Sequence, residues 1–272
     1  MENMKNDSYA LLIRFISEID DVLSIGKSGG SELPENGESD IDIYIFCNRI
    51  PEISKRREAV EKLDDKISIK AAYSDSAGKF WGTIDFINME KTEICLMYFT
   101  DSYMDNEIEF VLNGTRLDKE AGIFYPTGRC ATMLSIHALY DKSCYIAKMK
   151  ERLAVYPNDL SEKMFNYHVE KIIDEENFER AVLRNDILFY HETVENAIDH
   201  FLQALFALNK SFMPSRKRTM QYINSFKKKP ANCIERLLQV IELGAKAETL
   251  HRSYVIINSL YNELNNLGSR IE

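Results

Sequence analysis

Asp40 and Asp42 open an alternating run, Asp-Ile-Asp-Ile-Tyr-Ile-Phe, over residues 40–46. In an extended strand, residues i and i+2 project from one face, so the two carboxylates share a face and Ile41, Ile43 and Ile45 share the other. Paired hard oxygens of this kind can hold one or two Mg²⁺ ions, which favour carboxylate, phosphate and water ligands. Ahead of the pair lies Gly29-Gly30-Ser31, inside the turn-rich stretch GKSGGSELPENGES. Glycines after a strand let the backbone approach a phosphate closely, with loop N–H groups aimed at the anion. Side by side, the two features let metal ions bridge protein and triphosphate during in-line displacement of pyrophosphate. A bare Asp-x-Asp is weak evidence and so is a glycine-rich loop. The ordered combination of strand, Gly-Gly-Ser, spacer and apolar strand opening on Asp-x-Asp is far more specific.

The elements that must position these residues follow from periodicity. Apolar residues at helical spacing predict an amphipathic helix over 3–23, and a short strand over 22–25 leads into the loop. After the strand at 40–46, residues 52–66 read as a charged helix and 67–73, 82–89 and 93–99 as further strands. From about residue 102 the pattern turns helical, with helices expected over 129–154, 159–182, 186–209, 215–226, 230–243 and 245–268. Strands first and helices afterwards predict an α+β chain: an N-terminal α/β domain with a small mixed sheet (1–125), then a C-terminal all-α helical bundle (126–272).

Composition narrows the function. The 272 residues are 45% hydrophobic and 28% charged, which excludes a disordered or fibrous chain. No run approaches the roughly 18–20 apolar residues of a membrane helix, so no membrane partner is expected. The opening MENMKNDSYALL lacks a basic region leading into an apolar one, and the five scattered cysteines form no CxxC pair. A reduced, cytoplasmic protein is the expectation. Residues 1–125 carry a net charge of −11 and residues 126–272 one of +2. That acidic first part disfavours nucleic acid as a partner and suits a metal site or a cationic substrate. The loop lacks the GxxxxGK[ST] order of a P-loop and the GxGxxG of a dinucleotide fold. No two of the five histidines stand at HExxH spacing, which argues against zinc chemistry, and His137 reads as a packed helix residue.

The segment GKSGGSELPENGESDIDIYIF resembles the signature of the nucleotidyltransferase (DNA polymerase β-like) superfamily, most closely the bacterial branch of aminoglycoside and lincosamide nucleotidyltransferases. The stretches PTGRCATMLSIHALYDKSCYIAKMKERLAVYP (126–157) and LFALNKSFMPSRKR (205–218) resemble the helical domain of those relatives. The resemblance implies a Mg²⁺-dependent enzyme that moves a nucleoside monophosphate from a nucleoside triphosphate to a hydroxyl of a small molecule, with release of pyrophosphate. It assigns Ser28, Gly29, Gly30 and Ser31 to the phosphate loop and Asp40 and Asp42 to the metals, two in all. Lys217, after Pro214, is assigned to neutralise triphosphate charge. An interdomain cleft would hold the acceptor, and a homodimer remains open, as many relatives pair through their helical parts.

The family also wants a third carboxylate on a neighbouring strand, as ligand or as general base. Aligned on the strand's tyrosine, the usual aspartate position falls on Cys95. Glu93, two residues earlier on the same strand face, is the first candidate for that duty, and Asp85 on the preceding strand is the second. If neither serves, the chain is a catalytically degenerate member acting as a nucleotide-binding or protein-interaction module. Trp81 and the tyrosines at 98, 103 and 125 read chiefly as core residues, and Cys47 and Cys95 as buried, inert thiols.

Overall fold

Branched and aromatic residues at alternating positions form the strands, because a pleated, half-buried surface suits them. In the computed structural model, which describes residues 2–29, 40–63, 69–74, 82–89, 92–119 and 125–269, these are β1 (Val22–Lys27), β2 (Ile41–Cys47), β3 (Ile69–Tyr73), β4 (Thr83–Met89) and β5 (Thr92–Thr100). A sixth strand, β6 (His137–Tyr140), completes one sheet in the order β3-β4-β5-β2-β1-β6. Among the described residues only β2 and β5 pair in parallel; the other pairs are antiparallel. Gly30, Ser31 and Trp81 lie outside the described residues.

One face of the sheet is covered by α1 (Glu2–Ser17) and α2 (Ile53–Glu61). There Leu12, Ile16, Ala59 and Val60 pack with Ile25, Ile41, Ile43, Ile45, Ile94, Leu96 and Tyr98 in a single apolar core. The isoleucines that alternate with the two aspartates are therefore what seats β2. At the edge of that core Asp85 is fully buried, accepting from the Arg56 guanidinium and from the Ser74 N–H at 3.3 Å. Arg56 in turn donates to the carbonyls of Pro51 (3.0 Å) and Ser74 (2.9 Å).

The helix expected over 129–154 is instead α4 (Gly128–Ser135), β6 and α5 (Tyr145–Leu153). The backbone of 137–140 leaves the helical path to pair with β1, His137 lying opposite Lys27 and Ala138 opposite Gly26. His137 is consequently an exposed strand residue rather than a packed helical one. The sequence reading also passed over α3 (Asp101–Leu112), and the helix expected over 159–182 is split.

The chain forms two compact units: Met1–Glu109 with Thr132–Val155, and Phe110–Ala131 with Tyr156–Glu272. It thus passes between units three times, whereas the sequence reading placed one boundary at 125. Unit 2 is helical, with α6 (Asn158–Val169), α7 (Glu175–Arg184), α8 (Ile187–Leu208), α9 (Thr219–Ser225), α10 (Cys233–Gly244) and α11 (Leu250–Gly268). Helix α8 is the hub, apolar on most sides and touched by α6, α7, α10 and α11, as an all-round hydrophobic helix must be. Its start is fixed by Asp186, whose carboxylate accepts from the Phe189 N–H at 3.1 Å. The chain is α+β, a small mixed sheet with flanking helices and a helical C-terminal part. Among the described residues no helix is long and apolar enough to cross a membrane.

Candidate functional site

The face of the sheet opposite α1 and α2 carries the acidic residues. The parallel pairing of β2 with β5 sets Asp42 beside Cys95 and Tyr44 beside Met97, and the antiparallel pairing of β4 with β5 adds Phe86 beside Cys95 and Ile84 beside Met97. These six residues line a depression of about 300 Å³. Asp42 is half-buried and Cys95 buried, while Phe86 stays 41% exposed.

Asp40 stands one residue before β2, and Glu93 lies two residues before Cys95 on β5; both are exposed. The carboxylates of Asp40 and Glu93 and the thiol of Cys95 bring one ligand atom each within 4.8 Å of one another. Burial pushes the Cys95 thiol up to about 12, helped by the negative charges of Asp42, Glu93 and Asp40. Three carboxylates therefore act on one thiol, which stays protonated at neutral pH. Mg²⁺ takes hard oxygen ligands, which Asp40 and Glu93 offer within this group, while Asp42 stands beside Cys95 outside it and a protonated thiol is a poor ligand for the ion. The two carboxylates of the group are of the type that suits that ion.

The loop begins against this group. Ser28 donates its backbone N–H to the Asp42 carbonyl at 2.9 Å, extending the β1–β2 ladder up to the aspartate pair. Gly29 follows with φ +82°, a left-handed conformation that disfavours any side chain, although an added Cβ there would meet nothing within 4 Å. The constraint at Gly29 is the turn itself. Farther along the same face, Gly26 lies under Ile136 and Ile146, so that end of the sheet is covered.

Asp85 is not part of this group. Its register partner is Leu96, on the opposite face from Cys95, and Arg56 already engages its carboxylate. Lys217, in unit 2, is exposed, with its N–H 3.1 Å from Ser215 Oγ. Its neighbour Arg216 is held by Glu195 at 2.7 Å and Asp199 at 3.2 Å. Tyr98 and Tyr125 are buried, as are Cys47 and Cys95, in line with the core reading, and Tyr103 is half-buried.

The sequence reading missed Tyr44, Phe86 and Met97 as lining residues. Alternation along TIDFINM could have separated Phe86 from Asp85, but placing Phe86 beside Asp42 needs the cross-strand register. It also missed a second cluster: Asp118, His168 and His200 bring three ligand atoms within 4.8 Å of one another. Local spacing carries no signal for that group, since its members are 50 and 32 residues apart.

Residues 125–218 match a family described as a domain of unknown function (DUF4037). No curated protein matches the chain at a significant level. Among solved structures, it is similar to a nucleotidyltransferase-like protein from Exiguobacterium sibiricum 255-15, at 8% identity and a TM-score of 0.48, over 96% of this chain and 77% of that one.

Proposed function

We propose that this chain is a nucleotidyltransferase that moves a nucleoside monophosphate from a nucleoside triphosphate to a hydroxyl of a small molecule, with release of pyrophosphate. The observation that carries the reading is the grouping of Asp40 and Glu93 around Cys95, with Asp42 in register beside that thiol and next to the start of the Ser28–Gly29 turn. Asp40 and Asp42 would hold Mg²⁺, which when bound supplies charge neutralisation for the triphosphate and the departing pyrophosphate. The loop that opens at Ser28 and Gly29 would contact the phosphates, from Gly29 onward because the Ser28 N–H is taken by the Asp42 carbonyl. Glu93 is the base: its carboxylate takes the acceptor's hydroxyl proton as that oxygen bonds to the α-phosphorus and the α–β bridging oxygen leaves with pyrophosphate. Tyr44, Ile84, Phe86 and Met97 give the depression apolar walls, and the acidic rim favours a cationic acceptor of the aminoglycoside type.

The test is titration calorimetry of ATP and GTP with and without Mg²⁺, on the native chain and on Asp42→Asn, followed by pyrophosphate release against a panel of hydroxyl acceptors. Mg²⁺-dependent binding that the substitution abolishes supports the reading, and Lys217→Met is expected to weaken it. Folded protein that binds no triphosphate overturns it, and a degenerate interaction module then becomes the better description, a role to which Cys95 at the usual carboxylate position already points.

A further inference from the structure

The cluster in unit 2 that the transferase reading does not use is built by two packed helices and a strap. Helices α6 and α8 run antiparallel: Ser161 Oγ donates to the Ala207 carbonyl at 2.7 Å, and seven residues along α6, His168 meets His200, seven residues back along α8. The strap is the segment after α3. Its Leu117 carbonyl lies 2.7 Å from His168 Nε2, and its Lys119 ammonium pairs with the buried Asp199. Asp118 stands between these two ties.

The hydrogen bonds fix the chemistry of the pair. A carbonyl only accepts, so His168 Nε2 carries the proton and His168 Nδ1 carries a lone pair. The two Nδ1 atoms are 2.8 Å apart, so in the metal-free state His200 Nδ1–H donates to His168 Nδ1. His168 is fully buried, and burial followed by the neighbouring His200 holds its imidazole down to about 4, hence neutral at physiological pH. Asp118 is oriented from both sides: Oδ2 accepts from Tyr167 Oη at 2.9 Å, and Oδ1 from the Lys119 N–H at 2.7 Å.

We propose that Asp118, His168 and His200 form a binding site for a divalent transition metal of the zinc type, independent of the acidic face of the sheet. The residue types suit it: two imidazole nitrogens and a carboxylate match borderline cations, whereas Mg²⁺ takes oxygens. The surroundings suit it too. A metal-ligating histidine characteristically donates its second ring N–H to a carbonyl or carboxylate, and His168 does so to Leu117. The spacing is close to what an ion requires, since two nitrogens at about 2.0–2.1 Å from a tetrahedral zinc lie about 3.3 Å apart. Opening the 2.8 Å contact by about half an Å admits the ion. As it enters, the His200 Nδ1 proton passes through solvent to Nε2, so both Nδ1 lone pairs face the metal and no net proton is released. Three protein ligands leave a fourth position for water.

The experiment uses the full chain, freed of metal with a chelator and returned to buffer. Zn²⁺ alone is titrated by calorimetry, and Co²⁺ alone by visible absorption, where tetrahedral coordination gives an intense d–d band. The native chain is expected to bind an equivalent that His200→Gln and Asp118→Asn each weaken by at least about 10-fold, while Asp42→Asn leaves it unchanged. Circular dichroism and thermal midpoints verify that each variant is folded; His200→Gln and Asp118→Asn alter only half-buried side chains, so either can carry the test if the other fails to fold. Absence of Zn²⁺ binding, binding indifferent to both substitutions, or binding lost in Asp42→Asn instead, overturns the proposal.

Discussion

At the scale of single residues, the unusual feature is a protonated thiol surrounded by three carboxylates. Cys95 stands beside Asp42 in register, with Asp40 and Glu93 close enough that all three raise its pKa beyond the effect of burial. A carboxylate at 95 would meet the same repulsion, and bound metal would be needed to relieve it; a thiol avoids that cost in the metal-free chain. The proposed transfer gives the base duty to Glu93, whose longer side chain starts two residues before Cys95 on β5. Removal of a positioned general base typically costs about 10²–10⁴ in rate. Glu93→Gln is therefore expected to lower the rate of pyrophosphate release by about that factor while nucleotide affinity changes little. The double variant Glu93→Gln/Cys95→Asp is expected to regain part of the loss, since it puts a carboxylate back on the same strand face. Recovery measured in single-turnover reactions would assign the duty to the face rather than to one side chain; an active Glu93→Gln would show that Glu93 is not the base.

At the scale of elements, local pattern was enough wherever a residue's partner lies in its own segment. The alternation at 40–46 gave the face on which Asp40 and Asp42 sit, and the helical period over 186–209 gave α8 nearly to the residue. It failed where long-range pairing decides. His137–Tyr140 carries a helical period but pairs with β1, and Asp85 could be separated from Glu93 only by the β4–β5 register and its buried partner Arg56. Gly26 is the residue that lets the 136–146 segment close over the sheet. A Cβ there would stand 2.6 Å from Ile136 Cδ1 and 3.1 Å from Ile146 Cδ1. Gly→Ala within a strand ordinarily gains a few tenths to about 1 kcal/mol through the unfolded chain. Here crowding of about 1–3 kcal/mol should reverse the sign. Gly26→Ala is expected to lower the thermal midpoint, and Ile136→Ala in the same chain to cost less than the two changes summed, because alanine removes both Cγ1 and Cδ1, the two Ile136 atoms that the new Cβ would meet within 2.7 Å. Strict additivity in thermal or denaturant unfolding would refute that coupling.

At the scale of the whole molecule, charge separates the two kinds of acceptor that a nucleotidyl transfer can use. The chain carries −9 overall, and its first 125 residues carry −11, including every acidic residue of the candidate site. Polyanions gain most of their affinity by exchanging condensed counterions for lysine and arginine, and this half of the chain offers too few to do so. The one tight basic cluster beyond it that the sequence suggested for phosphate contact is partly spent, since Arg216 is paired with Glu195 and Asp199. A nucleoside triphosphate escapes the same repulsion only when a divalent cation accompanies it, which is why its binding should depend on Mg²⁺. A nucleic acid would need a basic track instead. A fluorescently labelled 20-nucleotide RNA, followed by anisotropy at physiological salt, is therefore expected to bind no tighter than about 100 µM, the weak end of non-specific association. Binding in the nanomolar range with a steep loss on raising salt would mean that phosphate contacts exist outside the acidic half, and RNA would replace the small hydroxyl compound as the acceptor. Weak RNA binding together with Mg²⁺-dependent triphosphate binding would leave the small-molecule acceptor as the one to search for, beginning with cationic compounds.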